Sequence, residues 1–386
     1  MKITLFDDIK RKHLLPLVFT KPCGALRIGV LTIAKKWERT LKASVDFITE
    51  DYLSAKFPNY QEESIRINGR ILPNLDLTEY LQFNFTSGRL TNEEGDLIAE
   101  HFTPGEEIVY EGTIDWLNRA SDIFRLNAQE IKKDFSLLTD DRKSISIPDS
   151  VTTNGNNPIF IEDGAVLYNC SLNSSDGPIY IGKNAEVMEG SLVRGPFALC
   201  ENSTIKMGTK VYSGTTVGPH SKVGGEINNS VIQGYSNKGH DGFLGNSVIG
   251  EWCNLGADTN NSNLKNNYDD VKLWDYSADR FTKTGLQFCG LIMGDHSKCG
   301  INTMFNTGTV IGVSANIFGS GFPRNFVPSF AWGGNAGFTT YKIDKALTTG
   351  RLVMQRRKIE LDQVEEDILT HIYNTTAQYR NWEINL

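Results

Sequence analysis

Between residues 181 and 227, aliphatic side chains recur at every sixth position: Ile181, Val187, Val193, Leu199, Ile205, Val211, Val217 and Val223. Four residues after each stands a small or neutral one, Ala185, Ser191, Phe197, Ser203, Thr209, Thr215, Ser221 and Ile227, with Phe197 and Ile227 as the large exceptions. The count starts upstream at Ile161 and Leu167, resumes at Ile249 and Leu255, and returns at Met293, Cys299, Phe305, Ile311 and Ile317. A period of six matches neither an amphipathic helix nor an alternating strand. It predicts a hexapeptide-repeat β-helix, in which three short strands make a triangular coil and stacked coils align the aliphatic residues in an inner ladder. The small residues then fall at corners. Gly182, Gly218, Gly250, Gly256, Gly294, Gly300 and Gly312, each directly after a ladder residue, predict corners that use glycine's backbone freedom.

Residues 1–140 lack this count and read as a mixed α/β domain. The pattern predicts strands at 2–6 and 44–49, a helix at 33–41 and a turn at Asn68-Gly69-Arg70. A further helix is expected through Trp116, Ala120, Ile123, Phe124, Ile131 and Phe135, with Asp115 as its N-cap. The parallel β-helix is expected over 145–335, interrupted by excursions at 228–245 and 260–290, and long loops on a rigid scaffold are usual places for function. In the last segment, 336–386, Leu361, Val364, Ile368, Leu369 and Ile372 follow the spacing of a C-terminal α-helix.

The net charge of −7 gives no electrostatic footprint for nucleic acid or an anionic membrane. No stretch has the length and apolarity of a membrane span, and the first residues lack the apolar run of a signal peptide, so a cytoplasmic protein is expected. Six cysteines without CxxC spacing read as reduced, buried thiols, with Cys253 and Cys299 on β-helix positions. His13, His101, His220, His296 and His371 show no ligand spacing, so no catalytic metal is expected.

Three segments carry a resemblance: Lys238-Gly239-His240-Asp241-Gly242-Phe243-Leu244-Gly245, then Ile249-Gly250 with Asn254-Leu255-Gly256-Ala257, then Asn267-Tyr268-Asp269. Together they resemble the acetyltransferase part of the GlmU family, bifunctional N-acetylglucosamine-1-phosphate uridyltransferases and glucosamine-1-phosphate N-acetyltransferases. The match is specific over about 225–270. The resemblance implies a left-handed coil, a homotrimer, acetyl-CoA as co-substrate and an amino sugar or its 1-phosphate as acceptor. It implies His240 as general base, oriented by Glu226, with Asn254, Asn267, Tyr268 and Asn228 near the sugar and Ala257 and Tyr268 near the coenzyme. Asn263 competes with Asn267 for the alignment, Phe243 replaces a tyrosine, and Asn228 replaces a lysine. At the front, Leu15-Pro16-Leu17-Val18 with Lys21-Pro22 resembles sugar nucleotidyltransferases. Asp7-Asp8-Ile9-Lys10-Arg11 stands where a glycine-rich phosphate loop belongs. Mg²⁺ is expected only if nucleotidyl transfer survives there.

The chemistry fits acyl transfer. A thioester-to-amine reaction needs a base for the amine proton and donors for the oxyanion, and a neutral imidazole suits the first role near pH 7. Three classes stay open: an acetyl-CoA-dependent N-acyltransferase, a sugar-1-phosphate nucleotidyltransferase using the β-helix to trimerise, and a non-enzymatic trimer. The run Arg351, Arg356, Arg357 and Lys358 reads first as a solvated helix face and second as a ligand for a coenzyme A phosphate.

Overall fold

The computed structural model describes residues 2–60 and 63–383. Its front is a six-stranded sheet in the order Ser44–Ile48, Lys2–Phe6, Ile65–Asn68, Leu97–Glu100, Arg89–Thr91, Glu107–Val109. The first three strands run parallel. Helix α1 (Ile33–Leu41) starts where Thr32 accepts a hydrogen bond from the Lys35 N–H, and it buries Ile33, Trp37 and Leu41. Helix α2 (Leu75–Phe83) is capped in the same way by Asn74. Helix α3 (Ser121–Thr139) begins later than the spacing suggested. Trp116 belongs to a strand paired with Ile71–Leu72, and Asp115 bonds Lys133 instead of capping the helix.

The hexad count becomes a three-sided parallel β-helix. Along its first face the inward residues in register are Ile161, Ile181, Leu199, Val217, Ile232, Ile249, Met293, Ile311 and Val327. Second-face strands run from Val166–Leu167 to Ala331–Gly334, with Gly337–Thr340 closing the edge antiparallel. The third face runs from Thr152–Asn154 to Phe243–Gly245 and continues as Asn260–Asn261 paired with Met304–Phe305. Ladder residues and the small corner residues are buried together, and the corner hydroxyls are satisfied locally. Thr209, Thr259, Thr303 and Thr309 each donate to the carbonyl three residues back, at 2.5–2.8 Å.

Three expectations are corrected. Residues 228–245 are not an excursion: the coils run straight through them on shortened sides. Ile227 is the third-face ladder residue between Val211 and Leu244, because the corner after Val223 is two residues short. The glycines directly after ladder positions do not have positive φ. All but Gly300 are required by close approach: a Cβ on Gly218, for example, would lie 2.2 Å from the Gln233 carbonyl oxygen of the next coil. The left-handed positions lie two residues further on, at Asn184, Asn202, His220, Tyr235, Trp252, His296, Ser314 and Phe330. The second excursion is real: the chain leaves after Ser262, forms the hairpin Lys272–Asp275 with Arg280–Lys283, and returns at Ile292–Met293.

The first face is covered by the front of the same chain. Asn127 of α3 donates to the Gly214 carbonyl (2.7 Å), Gln233 exchanges two hydrogen bonds with the Arg27 backbone, and Lys21 pairs with Glu251 (2.7 Å) and Asp295 (3.0 Å). The C-terminal segment holds two helices where one was expected, α4 (Ile343–Gln355) and α5 (Gln363–Thr375). Arg356, Arg357 and Lys358 therefore sit in the turn after α4, not along a helix face. All six cysteines are buried and unpaired. No helix among the described residues is long and apolar enough to cross a membrane.

Candidate active site

His240 occupies the corner between the second-face strand Asn237–Lys238 and the third-face strand Phe243–Gly245, and it is exposed. Lys238 holds that corner from inside. It occupies the second-face ladder position after Val223, is 3 % exposed, and donates to the carbonyls of Gly224 (3.0 Å), His240 (2.6 Å) and Asp241 (3.2 Å). Burial pushes its ammonium down to about 8. Hydrophobicity counts cannot reveal such a residue, since a lysine interrupts the ladder that it completes.

Glu226 opens the third-face strand one coil earlier, its N–H donating to Gly242 O (3.1 Å) and its strand position facing Phe243. Its carboxylate lies 3.5 Å from the Lys210 ammonium, and among the described residues no hydrogen bond joins it to His240. Ala257 stands at the same corner one coil later, where Asp258 N–H donates to Asp241 O (3.0 Å). The Ala257 N–H donates no hydrogen bond among the described residues. Glu226, His240 and Ala257 thus share one corner over three successive coils, each step about 4.8 Å.

The other sugar-side candidates scatter. Asn254 faces outward on the second face, accepting from the Asn237 amide at 3.0 Å. Asn228 lies at the far end of the Glu226 strand, beside the opposite corner. Asn267 and Tyr268 ride on the excursion, where Asn267 bonds Asp269 (2.5 Å) and Tyr268 is 64 % exposed. Neither is joined to the His240 corner by a hydrogen bond or ring contact among the described residues. Asn263, by contrast, is tied to the solenoid through the Asn246 side chain at 2.8 Å. Outward neighbours of Glu226 along the third face include Leu192 and Met304, both exposed, as is Tyr212 in the adjacent column.

At the front, the end of the sheet where a nucleotide would bind is filled by ion pairs. Asp8 takes two hydrogen bonds from the fully buried Arg70 (2.6 and 2.9 Å), which also stacks on Trp116. Asp7 pairs with Arg11 at 3.1 Å and accepts from the Cys23 N–H. Arg70 lowers the Asp8 carboxyl against the opposing effect of burial. No group of three potential ligands is placed to hold a metal ion among the described residues. Both aspartates are committed to arginines, so this end does not fit a Mg²⁺–triphosphate.

Residues 3–143 match the sugar nucleotidyl transferase family. An uncharacterized acetyltransferase YaiX of Escherichia coli O6:K15:H31 is 24 % identical over 198 residues, 51 % of this chain and 76 % of that protein. The bifunctional protein GlmU of Methanococcus aeolicus is 33 % identical over 108 residues, 28 % of this chain and 25 % of its own. A bifunctional sugar-1-phosphate nucleotidylyltransferase/acetyltransferase of Sulfurisphaera tokodaii is 31 % identical over 144 residues, 37 % and 35 % of the two chains. The front of the chain is thus similar to sugar nucleotidyl transferases, and the rest is similar to proteins named as acetyltransferases and to parts of bifunctional GlmU-type proteins, over about a quarter to a third of the latter's length.

Proposed function

We propose that this protein is an acetyl-CoA-dependent N-acyltransferase for an amino sugar or its 1-phosphate. The observation that carries the reading is the His240 corner: an exposed imidazole between glycines, pinned from beneath by Lys238, with Glu226 and Ala257 in the flanking coils. His240 takes the amine proton as nitrogen attacks the thioester carbonyl, the carbon–sulfur bond breaks, and the thiolate leaves with a proton as free coenzyme A. The unpartnered Ala257 N–H supplies a donor for the developing oxyanion. Glu226 acts as a positioning residue once a ligand or neighbouring subunit draws it from Lys210. Trimerisation through the exposed third face, with Leu192, Tyr212 and Met304, would wall the corner off from water. The sugar is held by Asn254, Asn228 and either Asn263 or the Asn267–Tyr268 pair, and Asn263 has the better support because it is anchored to the coil. The cytosol is the expected compartment.

The test is acetyl transfer measured by coenzyme A release across amino sugars and their 1-phosphates. His240→Ala should lower the rate by roughly 10²–10⁴-fold. Glu226→Gln should lower it less, and acetyl-CoA affinity should hold in both. Full activity in His240→Ala would remove the histidine from the mechanism. Nucleotidyl transfer is the second reading, favoured by the family match of residues 3–143. The Asp7–Arg11 and Asp8–Arg70 pairs weigh against it.

A further inference from the structure

Along the outward column of the second face, Lys222, Asn237, Asn254 and Lys298 stand in register on successive coils. The turn after α4 lies across them and brings Arg356 and Arg357 over the column, enclosing a cavity of about 400 Å³. Four cations thus line one cavity, and no carboxylate lines it. None of the four forms an ion pair with Asp or Glu among the described residues. Their few protein contacts are to carbonyls: Lys298 donates to His296 O (2.8 Å) and Arg357 to His220 O (3.2 Å). One wall is the ring of Tyr235 stacked on Trp252 at 4.3 Å. Acids in the surrounding coils stand off the cavity: Glu251 is drawn to Lys21 on the other side of its corner, Glu201 sits one coil before His220, and Glu186 stands two coils before Lys222 in the same column.

Like charges gathered at a low-dielectric wall repel one another, and the arrangement is relieved by an anion more than by any rearrangement of the protein. The volume is that of a small-molecule site. Arginine forks opposite lysine ammoniums suit phosphate oxygens, while the Asn237–Asn254 amides between the two lysines suit hydroxyl groups. We infer that this cavity binds a phosphorylated small molecule, with its phosphate held by Arg356, Arg357 and Lys222, at the end where Arg357 reaches the His220 carbonyl, and its hydroxyl-bearing part against the asparagines towards Lys298. The site shares Asn254 with the proposed acyl-transfer site but does not depend on acyl transfer. Burial holds the Lys298 ammonium below its usual value.

The phosphate has two candidate sources, a sugar phosphate or the phosphate of a nucleotide coenzyme. Calorimetric titration of the full chain with glucosamine 1-phosphate and with adenosine 3′,5′-bisphosphate separates them, with glucosamine and adenosine as phosphate-free controls. At least one phosphorylated probe should bind, and its control should bind about ten-fold or more weakly. The double variant Arg356→Ala/Arg357→Ala, and separately Lys222→Met, should weaken that probe by a similar factor with an unchanged melting temperature. These positions are exposed or half-buried, so both variants should fold. Raising salt should weaken wild-type binding in parallel. The inference falls if neither probe binds the wild type at millimolar concentration, or if both variants bind as the wild type does. A dead His240→Ala enzyme with intact phosphate binding would leave this site standing, and loss of phosphate binding in Lys222→Met with acyl transfer abolished only through KM would support both readings.

Discussion

The front sheet and the solenoid are both built mainly on parallel strands, yet their interiors are held by different means. The solenoid buries a column of Val, Ile and Leu with small hydroxyl residues at its corners, and each coil repeats the contacts of the last. The front and its seam bury charges. Lys36 lies between Glu130 (2.8 Å) and Asp134 (2.5 Å), and Asp134 also accepts from the Val30 and Leu31 N–H groups. Arg70 is buried against Asp8, and Lys21 against Asp295. Apolar ladders are additive and tolerant in sequence, so they leave a periodic trace. Buried ion pairs are single solutions whose desolvation penalty is met only by good geometry. They leave no period at all.

Three substitutions separate the two kinds of interior. The largest effect should come from Val211→Asp, which puts an unpaired carboxylate into the dry ladder at a cost of several kcal/mol. Loss of soluble protein, or of a cooperative melt, is the expected result. A soluble mutant with wild-type melting would show that the solenoid interior tolerates charge as the front does. Next comes Lys36→Met, which removes the cation shared by two buried carboxylates, leaving Glu130 to Lys133 and Asp134 to the Val30 and Leu31 N–H groups, and should destabilise by about 3–5 kcal/mol in urea unfolding. An unchanged midpoint would mean that the front's charges are incidental to its stability. The smallest effect concerns Lys238, a charge inside the ladder. A lysine titrates at 10.5 when unfolded and at about 8 here, so between these values the unfolded chain carries the extra proton. Stability should therefore rise with pH across that window by at most about 1.4 kcal/mol per pH unit. Lys238→Met should flatten the rise. A wild-type curve that is already flat from pH 8 to 10.5 would contradict the assigned environment.

What the sequence revealed follows the same division. Ladder residues from Ile181 to Val223 were legible because one inward aliphatic per side is all that a coil demands. The count stumbled at Ile227, where a corner two residues short shifted the phase, and a ladder residue passed for a corner one. It then missed Lys238 and Asn261, polar groups on ladder positions that satisfy themselves against backbone carbonyls and amides. That phase loss made 228–245 look like an excursion. His240 was legible by motif, and its place on a corner needs only the coil geometry. The cavity beneath Arg356 and Arg357 was not legible, since it depends on α4 ending where it does against a face 137 residues earlier in the chain, as the Arg357 contact with His220 shows.

The clamps on the first face carry one more consequence. A solenoid has no intrinsic length, because a coil added or removed in mid-stack leaves every neighbour contact of the same kind. Here Asn127, the Arg27 backbone and Lys21 each grip a different rung, at Gly214, Gln233 and Asp295, from a front that is folded as one piece. Inserting one rung among them would displace the lower grips by about 4.8 Å, beyond the reach of a hydrogen bond. The front thereby acts as a gauge: it converts an open-ended stack into one of fixed count, and it keeps the His240 corner at a set distance from everything the front carries.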